Sequence, residues 1–216
     1  MAAMGAAEQP MQRHVFEVRG PSQRMAWGLW IVGTVVGAAL AALVGWQVRD
    51  ILARVPAFDA QSARYVATVL QAVIAAGAQW LVWRRYRVEL DWWVAATVAA
   101  SLLDAVVVIP SVLHLADGTG VISAATAMIA GASALAAAGL VVGTAQALVL
   151  RESAGNIAWA WIPATIIGGA LAGALTTALS AQFLGLPAFA TISLVAATGA
   201  LLASASQAPV FLRVLR

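Results

Sequence analysis

Residues 77–84 read Gly77-Ala78-Gln79-Trp80-Leu81-Val82-Trp83-Arg84, and residues 144–151 read Thr144-Ala145-Gln146-Ala147-Leu148-Val149-Leu150-Arg151. Each is an apolar run that stops at an arginine, with a glutamine five residues before it. A third, weaker copy, Ser206-Gln207-Ala208-Pro209-Val210-Phe211-Leu212-Arg213, carries an intruding proline and puts six positions between Gln207 and Arg213. The stretches that open each unit also look alike: Trp27 and Trp30, then Trp92 and Trp93, then Trp159 and Trp161 each begin a span rich in Ala, Gly and Thr. A recurring unit of this length, apolar at both ends of a turn, reads as a helical hairpin. The expected hairpins run over about 25–84, 91–151 and 158–213. Each holds two spans, so successive copies insert the same way up about an axis along the membrane normal.

Outward from these motifs, the whole chain agrees. Of its 216 residues 62% are hydrophobic and only 10% charged, with no cysteine, and the mean hydropathy is +0.90. Soluble domains run to about half apolar and a quarter charged, so water is not the main solvent. Thiolate chemistry, cysteine metal sites and disulfide frameworks are excluded as well. Cutting at the charged residues leaves apolar segments at 25–46, 65–83, 92–113, 122–150, 157–180 and 187–212, each near the roughly 20 residues that cross a bilayer. The fold expected is an all-α integral membrane protein, six transmembrane helices as three repeated hairpins in a pseudo-threefold bundle. A single transmembrane domain over 25–216 follows an N-terminal arm, 1–24, that is too short to be a domain. The long fourth segment starts near Ser123 or crosses with tilt. The first apolar run continues to Gly45, which argues for an uncleaved anchor over a signal peptide.

Arginine fixes the orientation. One side of a six-span arrangement carries Arg13, Arg19, Arg24, Arg84, Arg85, Arg87, Arg151, Arg213 and Arg216; the other carries Arg49, Arg54 and Arg64 beside Asp50 and Asp59. The positive-inside bias places both termini in the cytoplasm. Trp27, Trp30, Trp80, Trp83, Trp92, Trp93, Trp159 and Trp161 cluster at the arginine-rich ends, where indoles form an interfacial belt; Trp46 alone falls at the other side. The net charge of +3 forms no dense patch, so no nucleic-acid partner is expected.

The run Gly77 to Arg85, followed by Leu90-Asp91-Trp92-Trp93-Val94-Ala95-Ala96-Thr97, is similar to the repeat of small bacterial membrane proteins whose helices end in Gly-x-x-Gln-Trp-Leu-Val-Leu-Arg. The resemblance covers most of residues 25–213, strongest in the second span and weakest in the sixth. It implies the repeat architecture and a place in the bacterial cytoplasmic (inner) membrane, and brings no catalytic residues.

Several positions carry candidate chemistry. Gln79, Gln146 and Gln207 lie about one and a half turns inside the interface, where an amide seeks a partner on a neighbouring helix, and three at one depth are able to meet; each either bonds a backbone carbonyl or a Trp N–H and sets helix register, or contacts a solute. Gly33 and Gly37, Gly139 and Gly143, and Gly169 and Gly173 are small-xxx-small pairs that signal close helix contact. Thr165, Gly169, Thr176 and Ser180 share one side of the fifth span. Asp104 is the one carboxylate far from any helix end, on a polar face with Thr97, Ser101 and Ser111. An acid at that depth is a ligand or proton site by default, or else a protonated, packed carboxyl bonded to Ser101 or to a hydroxyl such as Ser133 on a neighbouring helix. Pro110 frees a carbonyl just beyond it and makes an irregular helix here. His114 and Asp117 sit near the span's end, and two histidines in the chain supply neither a bis-histidine cofactor site nor a metal site.

No elbow serine, P-loop or paired nucleophile and base is present, so no enzyme activity, cofactor or metal is expected. Two readings remain. The preferred one is an accessory or scaffold subunit packed against other membrane proteins or itself within the lipid bilayer. The alternative is a small-solute transporter or substrate-capturing component built around Asp104 and the glutamines. A midplane cavity containing Asp104 and open to one side would favour the second, and a dry, filled bundle with an apolar outer groove the first.

Overall fold

A computed structural model describes residues 23–86, 88, 90–117, 123–182 and 186–215. The arm as far as residue 22, including Arg13, His14 and Arg19, lies outside them. Among the described residues there are helices and turns and no strand. The helices are α1 (Gln23–Leu52), α2 (Ala60–Arg85), α3 (Trp93–Leu103), α4 (Ile109–Asp117), α5 (Ala124–Ala154), α6 (Trp161–Gln182) and α7 (Ala188–Val214). A π-helical turn, Asp104–Val108, joins α3 to α4, and a 3-10 segment, Gly155–Ala160, joins α5 to α6. Helices satisfy every backbone group internally, which apolar surroundings demand of such hydrophobic segments.

Five of these stretches are long and apolar enough to cross a membrane, not the six expected: Arg24–Leu52, Ala60–Arg85, Trp93–Val112, Ala124–Ser180 and Ala188–Val214. The difference has a local cause. Helical hydrogen bonding continues through the 3-10 segment, so α5 and α6 form one uninterrupted 57-residue stretch. The reversal inside it is made by Gly155, whose φ of 58° is one that side chains with a Cβ rarely adopt. Beyond it α6 packs back along α5. The expected start of the fourth segment holds, because α5 begins immediately after Ser123, whose hydroxyl accepts from the Thr126 N–H at 3.1 Å. Asp59 caps α2 in the same way, accepting from the Ser62 N–H at 2.6 Å.

Each leg packs on the next, α1 on α2, α2 on α3, α3 on α5, α5 on α6 and α6 on α7; α7 then packs on α1 and closes a ring. Its closest seam is α5–α6. A Cβ on Gly139 would stand 2.6 Å from the Thr165 carbonyl oxygen, one on Gly143 3.0 Å from Thr165 Cβ, and ones on Gly169 and Gly173 would meet the carbonyl oxygens of Leu135 and Gly131. Gly33 and Gly37 do the same for α1–α2, against Val82 and Ala78 at 2.7 and 2.5 Å. All six glycines of the small-xxx-small pairs are therefore spent on seams within the chain.

Candidate functional site

At the arginine-rich end the ring is plugged. Trp30 of α1, Trp83 of α2, Trp93 of α3, Trp161 of α6 and Phe211 of α7 are all fully buried, with Leu150 of α5 beside them. Trp30 stacks on Phe211 at 4.9 Å between centroids, and Trp83 lies 4.7 Å from Phe211, 5.5 Å from Trp30, 5.8 Å from Trp93 and 5.9 Å from Trp161. Such tilted and edge-on contacts suit the aromatic quadrupole. The expected interfacial belt is thus corrected for four of its eight members. Trp30, Trp83, Trp93 and Trp161 are turned inward by helix phase, whereas Trp27, Trp92 and Trp159 are exposed. Trp80 is half-buried, with the Arg84 guanidinium 4.7 Å from its ring centroid.

The plug rests on amides. Gln146, buried on α5, donates to Thr97 Oγ1 at 3.1 Å and accepts from Trp161 Nε1 at 2.8 Å. Gln207, buried on α7, donates to Thr165 Oγ1 at 3.1 Å, and that hydroxyl donates to the Trp161 carbonyl at 2.8 Å. The amides do not meet one another, as their common depth suggested. Each of these two instead bonds a threonine on another helix, Gln146 on α3 and Gln207 on α6. Gln79 is half-buried and has no hydrogen bond among the described residues. Trp30 Nε1, Thr34 Oγ1, Trp93 Nε1 and Gln207 Oε1 are buried without a protein partner.

This geometry exposes spacings that a reading from the arginines misses. Trp30-Ile-Val-Gly-Thr34, Trp93-Val-Ala-Ala-Thr97 and Trp161-Ile-Pro-Ala-Thr165 place tryptophan and threonine four apart in α1, α3 and α6. On the returning helices, Gln79 and Trp83, Gln146 and Leu150, and Gln207 and Phe211 are also four apart. Counted to the buried apolar residue and not to the arginine, the third copy is regular. Pro209 sits exposed and does not end α7.

The other half of the ring is hollow. An open cleft of about 580 Å³ is lined by Ala41 and Ala42 of α1, Thr68, Gln71 and Ala72 of α2, Ser101 of α3, Ser180 of α6 and Thr191 of α7. A narrower space of about 210 Å³ shares Thr68 and Gln71 with it and reaches Trp46, Arg49 and Arg64. Those three residues also line an outer space of about 730 Å³ at the arginine-poor end. The three spaces follow one another from that end towards the plug. Gln71 stands where two of them join, and a Cβ on Gly45 would overlap its side chain. Neither Gln71 nor Thr68 was singled out from the sequence, because a lone amide or hydroxyl in an alanine-rich span has no distinguishing spacing.

Asp104 is 4% exposed, and its Oδ1 has no hydrogen-bond partner. It shares a buried face with Trp93, Thr97 and Ala100, and Ser101, one turn earlier, lines the cavity. Neither Ser101 nor Ser133 bonds it, and Ser133 is exposed. The irregularity expected from Pro110 is the π-helical turn that Asp104 opens, with the Ile109 N–H donating to the Asp104 carbonyl. Beyond that turn Ser111 and His114 are exposed, so Ser111 leaves the inward face; the Asp117 side chain lies outside the described residues. The small-polar side of α6 divides between tasks. Thr165 holds Gln207, Gly169 seats α5, Thr176 bonds its own backbone and Ser180 lines the cavity. No group of three or more metal-ligating side chains occurs among the described residues. Searches against protein-family models, curated proteins and solved structures find no match to this chain.

Proposed function

We propose that this chain is a bacterial inner-membrane protein that captures a small solute inside its ring from the non-cytoplasmic side, as a transporter or the binding component of one. The observation that carries this reading is the hollow half of the ring, which continues outward past Arg49 and Arg64 and ends inward at the aromatic plug. A volume of about 580 Å³ falls in the range of small-molecule sites. The 57-residue helical stretch, at about 1.5 Å per residue, far exceeds a bilayer, and its reversal at Gly155 supports two crossings and six in all. The excess of arginine at the plugged end supports cytoplasmic termini. The threefold recurrence of the Trp-x-x-x-Thr and glutamine spacings, together with the closed order of legs, supports three hairpins about one axis.

A cysteine-free chain makes the test direct. Ser101→Cys in oriented vesicles is expected to react with a membrane-impermeant maleimide from the non-cytoplasmic side and not from the other, while Val36→Cys, on the outer face of α1, reacts from neither. Equal labelling of Ser101→Cys from both sides, or none, overturns the reading.

The accessory-subunit reading keeps one observation of its own. A groove of about 420 Å³ runs along the outside of α1 and α2, past Val32, Val36, Leu40 and Leu81 to Arg85. The small-residue faces that first favoured it are, however, occupied within the chain. A stoichiometric membrane protein that co-purifies with the wild type and is lost on Val36→Trp would favour it.

A further inference from the structure

Three arginines stand at the arginine-poor end of the ring, Arg49, Arg54 and Arg64. Arg54 is held by Asp50 in the one ion pair among the described residues, and the Asp59 carboxylate caps α2. Arg49 of α1 and Arg64 of α2 are left without a carboxylate partner among the described residues, and both line the outer space and the narrow one inside it. The narrow space has no acidic side chain in its walls, and the cleft beyond it has no charged one. Asp104 lines none of the three. From the two arginines the walls run inward in register. Gly33, Gly37 and Gly45 of α1 meet Val82, Ala78 and Gln71 of α2, so the two helices are antiparallel. Counting four, seven and eleven residues inward gives Gly45, Ala42 and Ala38 on α1 and Thr68, Gln71 and Ala75 on α2. Those steps follow one face of a helix, and all six residues line the narrow space or the cleft.

The chemistry along this line is ordered. Two guanidinium groups stand at the outer end, an amide and a hydroxyl follow, and alanine, valine and isoleucine line the cleft beyond. The Thr68 hydroxyl donates to the Arg64 carbonyl at 3.0 Å, while the Gln71 side chain lies over Gly45 where the two spaces join. A recess walled by one sign of charge and backed by apolar surface concentrates ions of the opposite sign, and guanidinium forks match a carboxylate in shape. The alanine walls begin seven residues, about 10 Å, inward of the arginines and end eleven residues, about 16 Å, inward, so a straight chain of about eight carbons with a terminal carboxylate reaches from the pair into the cleft. We infer that Arg49 and Arg64 seat the head of a medium-chain carboxylate that enters from the non-cytoplasmic side and lays its apolar chain along Ala42, Ala38 and Ala75.

This rests on the capture reading and names its ligand class. The test uses the full chain in phosphatidylcholine nanodiscs with radiolabelled octanoate, protein-free nanodiscs serving as the blank. Saturable binding at one site per chain is expected, resistant to octanol and to octylammonium, with affinity rising by roughly fourfold per methylene from butyrate to octanoate. Replacing both arginines, Arg49→Gln with Arg64→Gln, should weaken it by roughly tenfold or more, and Arg84→Gln at the other end by less than about twofold. Octanoate should also shield Ser101→Cys from the impermeant maleimide, and octylammonium should not; this readout needs neither arginine variant to fold. Absence of saturable octanoate binding, its survival in the double variant, equal competition by octanol or octylammonium, or a Ser101→Cys left fully reactive by octanoate each overturns the inference. So does one phosphatidylglycerol retained per chain from the native membrane and lost in the double variant, which would give the arginines to a lipid. With Ser101→Cys still reachable from the non-cytoplasmic side, those results leave capture standing and remove only the carboxylate. An unreachable Ser101→Cys would remove both.

Discussion

The two ends of the ring are built from the same six legs and differ in what the legs point inward. At the arginine-rich end the inward residues are four tryptophans, a phenylalanine and a leucine, and the interior is filled by rings less than 6 Å apart between centroids. At the other end they are Ala41, Ala42, Ala72, Ser101 and Ser180, and the helices leave an open cleft between them. The backbone ring sets a gap that only large side chains can close, so side-chain volume along each leg decides where the bundle is solid and where it is hollow. In a membrane, where apolar burial does not itself drive helices together, dispersion contacts and interhelical hydrogen bonds carry the solid end.

The comparison breaks most readily at Trp83, which touches four other plug rings. Trp83→Ala is expected to cost about 3–5 kcal/mol, the range for deleting a buried aromatic, read by thermal or denaturant unfolding in detergent. Ala72→Leu in the hollow half should cost far less, and equal losses at the two sites would erase the distinction between the ends. The glutamines sharpen it. Gln146→Leu strands Trp161 Nε1 and Thr97 Oγ1, and about 1–2 kcal/mol is expected to be lost. Gln79→Leu, at a half-buried position without a bond among the described residues, should change stability by less than about 0.5 kcal/mol. Similar losses for both would mean that Gln79 is bonded as Gln146 is.

The smallest effect belongs to the rim of the hollow end. The Asp59 carboxyl is held below its ordinary range by the Ser62 backbone N–H it accepts from. Because its folded value is lowered, its contribution is complete above the unfolded value near 3.8 and fades as pH falls through the folded one. Acidification below about pH 4 should therefore loosen the start of α2 slightly, seen as faster amide exchange at Ser62, and Asp59→Asn should flatten that dependence.

Much of this was legible from the residues alone, because hydropathy reports length and arginine reports ends. The all-helical fold, the start of α5 after Ser123, the inward Asp104 and the irregular helix before Pro110 follow from such signals. The plug was not. A tryptophan near a helix end suits a headgroup belt and a buried core equally, and helix phase alone separates Trp30 from Trp27 or Trp93 from Trp92. The cavity was equally hidden, since alanine packs a seam as readily as it lines a void. Gly139 and Gly173 meet a neighbouring backbone, while Ala41 and Ala72 face open space, and composition does not distinguish them. The break between the segments 122–150 and 157–180 was legible, and the reversal at Gly155 falls in it; what the residues did not show is the 3-10 turn that keeps helical hydrogen bonding alive through the corner, so that both legs form one 57-residue helical stretch.

Ring closure through α1 and α7 has a consequence for biosynthesis. Trp30 stacks on Phe211, a residue made 181 positions later, and until α7 arrives the inner face of α1 has its later neighbour missing. Helices that insert one after another must therefore hold an unfinished arc, with Trp30 and Thr34 turned to lipid or water, while more than 150 residues are still being added. The contact that completes the ring is the one with the greatest sequence separation, so its loop-closure entropy falls due last. A chain that stops short of α7 is therefore left with an open seam along the inner face of α1.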